Sequence, residues 1–122
     1  LRPGIPGLTE NIRVRSIVGR FLEHSRLYCF GQGECQKLYL ASADSMGRNL
    51  NRRVEIACPV EDAALRHELT HMLRIMLRDN VNAWEMREDG EYDRVNGEGK
   101  RVDSQMYFML QGIAKSETSN LP

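Results

Sequence analysis

Between Glu61 and Asn80 the apolar positions Leu65, Leu69, Met72, Leu73, Met76 and Leu77 recur every three or four residues, the period of a helix with one apolar face. Glu61 and Asp62 stand at its start and Arg74 and Arg78 near its end, the order that the helix dipole favours. The pattern predicts an amphipathic helix over 61–80 lying against a sheet. Upstream the period falls to two. Residues 25–30 (S-R-L-Y-C-F) read as a strand, Gly31 to Glu34 as a turn and residues 37–42 (K-L-Y-L-A-S) as the returning strand, because aromatic and apolar positions bounded by a glycine turn suit a hairpin. A third strand is expected over 53–58, stopped by Pro59, whose missing amide donor would interrupt a central ladder.

The remaining segments carry weaker patterns. Residues 12–18 alternate at period two, while Ile17, Val18, Phe21 and Leu22 recur at helical spacing, so a short strand or turn leading into a helix near 15–23 is expected. Ala83 to Met86 and Tyr92 to Val95 flank Asp89-Gly90, a small hairpin; Gly97 to Lys100 makes a further turn. Ser104 to Gln111 predicts a short helix, and 116–122 a frayed tail beyond a domain of residues 1–115. The first seven residues hold two prolines and two glycines, a turn-rich stretch that either bends around a bound group or leaves an upstream strand.

Composition narrows the class. The chain has 122 residues, 41% of them apolar and 28% charged, near globular averages and enough for one domain with a real core. Seventeen basic residues balance seventeen acidic ones, so no overall charge draws the chain to nucleic acid or a membrane. No apolar run approaches the roughly 18 residues of a spanning helix, and the N-terminus has no signal-peptide pattern. Three cysteines, Cys29, Cys35 and Cys58, without a C-x-x-C pair, favour reduced thiols in a cytosolic compartment. The chain opens on Leu1 without a methionine and reads as a piece of a longer polypeptide.

Two groups of residues could carry chemistry. His67-Glu68-Leu69-Thr70-His71 matches the H-E-x-x-H pattern, in which two imidazoles one turn apart and a glutamate make a zinc peptidase site. Such a site needs a third protein ligand; His24 lies in another kind of segment, and Glu88 and Glu91 lie in polar turns. A solvated helix face is the simpler reading. The second group spans the first hairpin: His24 and Arg26, then Ser42 and Asp44, then Arg48, Asn49, Arg52 and Arg53. An imidazole able to exchange a proton beside a guanidinium able to grip two phosphoryl oxygens suits phosphate chemistry. Ser42 and Asn49 add neutral donors, Asp44 can orient an imidazole or arginine, and Arg52 with its neighbours can collect anionic oxygens. Structural hydrogen bonding and ordinary ion pairs are the competing account of the same residues.

The runs N-I-R-V-R-S-I-V-G-R-F-L-E-H-S-R-L-Y-C-F and L-Y-L-A-S-A-D-S-M-G-R-N-L-N-R-R-V-E, with L-R-P-G-I-P-G-L-T-E-N before them and D-N-V-N-A-W-E and R-V-D-S-Q-M-Y-F-M-L-Q after, closely resemble the C-terminal part of polyphosphate kinases, which make inorganic polyphosphate from ATP. The resemblance implies an α/β, phospholipase-D-like fold, a mixed sheet with packed helices, as the second of two such lobes. His24-Ser25-Arg26 stands where phospholipase D proteins have H-x-K, and residues 42–49 near their G-S-x-N. It further implies that a first-lobe histidine carries the phosphoryl group and that Mg2+ is held by that lobe, outside this chain. His24 would then be the catalytic acid/base or transition-state donor, and Arg26, Ser42, Asp44, Asn49 and Arg52 would bind ATP and phosphate. The implied partners are ATP or ADP, polyphosphate and the first lobe, with no nucleic acid, a homo-oligomeric whole enzyme, and a cytoplasmic location that leaves membrane association open. A non-catalytic polyphosphate- or nucleotide-binding module is the alternative, and a zinc peptidase a remote one.

Overall fold

The structure is a computed structural model that describes residues 2–33, 36–42, 54–97 and 99–119. Its elements in chain order are strands β1 (Arg15–Ile17), β2 (Leu27–Phe30), β3 (Lys37–Ala41) and β4 (Ala57–Pro59), helix α1 (Ala63–Arg78), strands β5 (Ala83–Met86) and β6 (Tyr92–Arg94), and helix α2 (Ser104–Ser119). The α/β class holds. The strands, however, divide into two antiparallel three-stranded sheets, β1-β5-β6 and β2-β3-β4, where one sheet layer was expected. The chain correspondingly separates into two compact units, residues 1–22 with 73–122, and residues 23–72.

In the 23–72 unit the hairpin forms as its alternation predicts, with Leu27 opposite Leu40, Tyr28 opposite Tyr39, Cys29 opposite Leu38 and Phe30 opposite Lys37. β3 is central, and Leu38 on it is 2% exposed. Pro59 does not stop β4; it is its last residue, opposite Tyr39, tolerated because β4 is an edge strand in this sheet. Residues 54–56, expected as strand, are irregular, although the Ser42 N–H donates to the Ile56 carbonyl at 2.9 Å. Asp62 caps α1 by accepting the Leu65 N–H at 2.9 Å, an N-cap worth about 1 kcal/mol. Arg66 on α1 donates to the Gln36 carbonyl, tying the helix to the hairpin turn. A groove of about 400 Å³ lies between α1 and the β3–β4 pair, lined by Leu40, Cys58, Val60, Leu65, Leu69 and Met72 among others.

In the other unit β5 is central, pairing Arg15–Glu85, Ser16–Trp84 and Ile17–Ala83 on one side and Trp84–Arg94, Glu85–Asp93 and Met86–Tyr92 on the other. Ala83 is fully buried. Arg13 makes two hydrogen bonds to the Glu85 carboxylate, 2.6 and 2.9 Å. Its turn holds Gly90 at φ 92°, a conformation that side chains with a Cβ rarely adopt. The helix expected near 15–23 is absent: residues 15–17 form β1, and Val18 extends that ladder through its N–H to the Asn82 carbonyl at 2.9 Å. Conversely α2 runs to Ser119, past the expected end at Gln111.

The apolar periodicity of the helices is only partly used. No residue of α1 is fully buried, Leu65 and Leu77 are 55% and 63% exposed, and Leu38 and Ala83 are the buried aliphatic side chains among the described residues. The core expected of an average domain of this length is therefore not closed by these residues alone.

Candidate functional site

His24, Ser25 and Arg26 lie immediately before β2, and Ser42 immediately after β3. Antiparallel pairing brings these two chain ends together: the Ala41 N–H donates to the Arg26 carbonyl at 3.0 Å, one rung beyond the Leu27–Leu40 pair. Two sequence-predicted residues 16 positions apart, Arg26 and Ser42, thus stand at one end of one hairpin. The strand begins at Leu27, so His24 and Arg26 both precede it and no strand geometry sets the relation of their side chains.

The backbone around His24 is shaped by its neighbours instead. The Glu23 carboxylate accepts both the Ser25 N–H at 3.0 Å and the Ser25 hydroxyl at 2.5 Å, a local bracket with His24 at its centre. The Ser25 hydroxyl, then the Ser25 amide, hold the Glu23 carboxyl below its ordinary range, with a further contribution from the neighbouring His24. His24 is exposed and Arg26 half-buried.

Ser42 leads to a residue that sequence reasoning missed. Its hydroxyl donates to the Glu55 carboxylate and accepts the Ile56 N–H at 3.1 Å. A half-buried carboxylate therefore stands beside the end of β3, from a segment that in sequence looked only like strand. Asp44, Asn49 and Arg52, with Arg48 and Arg53, fall outside the described residues.

The H-E-x-x-H residues occupy α1 with His67, Glu68 and His71 exposed. Among the described residues no three His, Cys, Asp or Glu side chains converge as a metal site. The expected result of metal analysis on the purified chain is no stoichiometric zinc. Zinc that is lost on His67→Ala or His71→Ala would restore the peptidase reading. Nor is any helix among the described residues long and apolar enough to cross a membrane.

Comparison with known proteins identifies the family. Residues 1–105 match the family model for polyphosphate kinase C-terminal domain 2. The chain is 46% identical over 121 residues to polyphosphate kinase 1 of Chlorobaculum tepidum, covering 99% of this chain and 17% of that protein. It is 52% identical over 101 residues to a polyphosphate kinase of Pseudomonas aeruginosa, covering 83% of this chain and 15% of the relative. The crystal structure of polyphosphate kinase from Porphyromonas gingivalis superposes with a TM-score of 0.85 at 38% identity, over 96% of this chain and 18% of that one. The chain spans about a sixth of the length of the curated relatives it matches. With 105 of its 122 residues under one family model, the chain belongs to the polyphosphate kinase family, as its C-terminal domain 2.

Proposed function

We propose that this chain is the second phospholipase-D-like lobe of a polyphosphate kinase that moves the terminal phosphoryl group of ATP onto inorganic polyphosphate, reversibly. The observation that carries the reading is the meeting of the His24–Arg26 segment with Ser42 at one end of the β2–β3 hairpin, inside a chain matched by that family over residues 1–105.

Phosphoryl transfer requires an in-line nucleophile, stabilisation of charge on the equatorial oxygens, and a proton or cation for the leaving side. In this reading a histidine of the other lobe is the nucleophile, and this lobe supplies the rest. The His24 imidazole gives or takes a proton at the transferring group, and the Arg26 guanidinium pairs with two of its oxygens. Asp44, Asn49 and Arg52 complete the phosphate-binding set of this reading with Ser42, whose hydroxyl proton is engaged by Glu55 and has to turn from it to reach a phosphoryl oxygen. In this reading Mg2+ is held by the other lobe, and no step here runs through it. ATP or ADP and polyphosphate are the substrates, the first lobe is the obligatory partner, and the whole enzyme is a cytoplasmic homo-oligomer.

Two preparations test this. A full-length enzyme carrying this lobe is expected to convert ATP into acid-insoluble phosphate polymer and to run the reaction backwards with ADP. The isolated 122-residue chain is expected to show no turnover and weak binding by titration calorimetry, because the groups that preorganise the pocket are divided between lobes. Polymer synthesis by the isolated chain would overturn this division of labour. Tight polyphosphate binding by it, with a full-length enzyme that makes no polymer, would favour a binding module.

A further inference from the structure

Packing in the 23–72 unit stops short on one face of its sheet. Successive residues of a strand alternate faces, so Leu38 and Leu40 of β3 share a face with their cross-strand partners Cys29 and Cys58. Leu38 is 2% exposed and Leu40 45%, so the cover over the first side chain does not reach the second. The groove of about 400 Å³ opens there, walled by Leu40 and Cys58 of the sheet and by Leu65, Leu69 and Met72 of α1. Leu65 and Cys58 are exposed as well. Both walls therefore present apolar surface to solvent.

Protein interiors fill such space with side chains, and apolar surface left open in this way marks a contact with another segment. The charges around it select among occupants. Glu61, Asp62 and Glu68 line the groove, and no Lys or Arg of the described residues does. A second copy docking groove to groove would set these carboxylates against their own images, because a two-fold contact pairs one patch with itself. A segment with Lys or Arg beside its apolar side chains meets them with opposite charge. The groove is also small, taking only a few side chains, whereas a stable free partner covers about 800 Å² on each side. A tethered segment needs less area, because its effective concentration reaches roughly the millimolar range. The chain spans about a sixth of the length of its relatives, so those proteins carry ample further polypeptide to supply one.

We infer that this groove receives an apolar segment flanked by lysine or arginine from another part of the same, longer polypeptide. The inference rests on the reading of this chain as one lobe of a longer polyphosphate kinase. The occupant completes packing that the 23–72 unit leaves open and joins that unit to the rest of the enzyme.

The test uses a purified full-length polyphosphate kinase carrying this lobe. N-ethylmaleimide is expected to modify Cys58 roughly 10-fold or more slowly than in the same enzyme unfolded in guanidinium, since a filled groove covers a thiol that is exposed in this chain alone. Glu61→Lys, which repels a basic flank, should speed that reaction about 3- to 10-fold, and Glu61→Gln should speed it less. Glu61 is exposed and belongs to no regular element, so neither change should lower the folded yield. A photoreactive p-benzoylphenylalanine placed at position 61 should cross-link to a peptide outside these 122 residues, in the same chain, with Lys or Arg within about one helical turn's spacing of the linked site. Mixing heavy- and light-isotope enzyme separates links within a chain from links between copies. A Cys58 that reacts as fast as in the unfolded enzyme overturns the inference, and so does a Cys58 rate unchanged in Glu61→Lys. Cross-links that join two copies, stay within these 122 residues, reach a segment without Lys or Arg, or fail to form overturn it too. Polymer synthesis is measured on the same preparation: its absence overturns the phosphoryl-transfer reading, while a protected Cys58 and a link within one chain leave this contact standing.

Discussion

Replacing His24 with alanine in a polyphosphate kinase that carries this lobe is expected to slow ATP-dependent polymer synthesis by about 10²–10⁴-fold, the contribution of a positioned general acid or base. The side chain is exposed and belongs to no regular element, so removing it takes nothing from the packing and the folded yield should not change. The loss should fall on kcat, with KM for ATP little altered, because a proton given at the transferring phosphoryl matters only as the bond breaks. His24→Gln can donate a hydrogen bond but cannot exchange a proton. Recovery of most activity in His24→Gln would make the group a hydrogen-bond donor to the transition state and not an acid. Full turnover in both variants would remove His24 from the mechanism.

What was legible from sequence and what was not divides by range. The β2–β3 hairpin, α1 and the β5–β6 hairpin are written in local periodicity and turn glycines, and they formed within a few residues of expectation. The short helix near 15–23 was misjudged because Ile17, Val18, Phe21 and Leu22 satisfy two periods at once. The decision came from β5, which supplies a strand partner to 15–17, and from Gln105, which holds the backbone of Phe21 across 84 positions. No local window contains that information. For the site, residue type and the likeness to polyphosphate kinases pointed to His24, Arg26 and Ser42, and antiparallel pairing explains why Arg26 and Ser42 meet. Glu55 was invisible because its role depends on Ser42 reaching it from 13 residues away. The two segments with no assigned chemistry, D-N-V-N and R-V-D-S-Q, turn out to be bonded to each other: the Asn80 N–H donates to the Val102 carbonyl, and the Val102 N–H to Asn80 Oδ1.

Asp79 is the centre of that junction, and its replacement is the structural change with the largest expected cost. It is fully buried directly after the last residue of α1. Oδ1 accepts the Val81 and Asn82 amides at 3.0 and 2.8 Å, and Oδ2 accepts the Ser104 amide and hydroxyl at 2.9 and 2.7 Å. Burial alone would push this carboxyl up, but the four donors outweigh it and hold the group below its ordinary range. Asp79→Ala deletes every acceptor and leaves the buried Ser104 amide and hydroxyl, and the part-buried Val81 and Asn82 amides, without their partner. At about 1–3 kcal/mol for each buried group left without a partner, partly relieved by relaxation, the expected loss is roughly 3–5 kcal/mol. Asp79→Asn keeps one oxygen but turns an NH2 toward two donors of Ser104 and should cost somewhat less; Ser104→Ala removes one hydroxyl and should cost about 1 kcal/mol. Because the folded pKa is depressed, the ionised carboxylate contributes its stability above the unfolded-state value of about 3.9. That contribution is lost as pH falls below this value and through the folded pKa. The gap between wild type and Asp79→Asn should therefore be widest near neutrality and narrow below about pH 4. Hydrogen exchange at the Val81, Asn82 and Ser104 amides, read in the full-length enzyme alongside its thermal midpoint, measures this locally. Unchanged protection of those amides in Asp79→Ala would show that the junction is held by something other than this carboxylate.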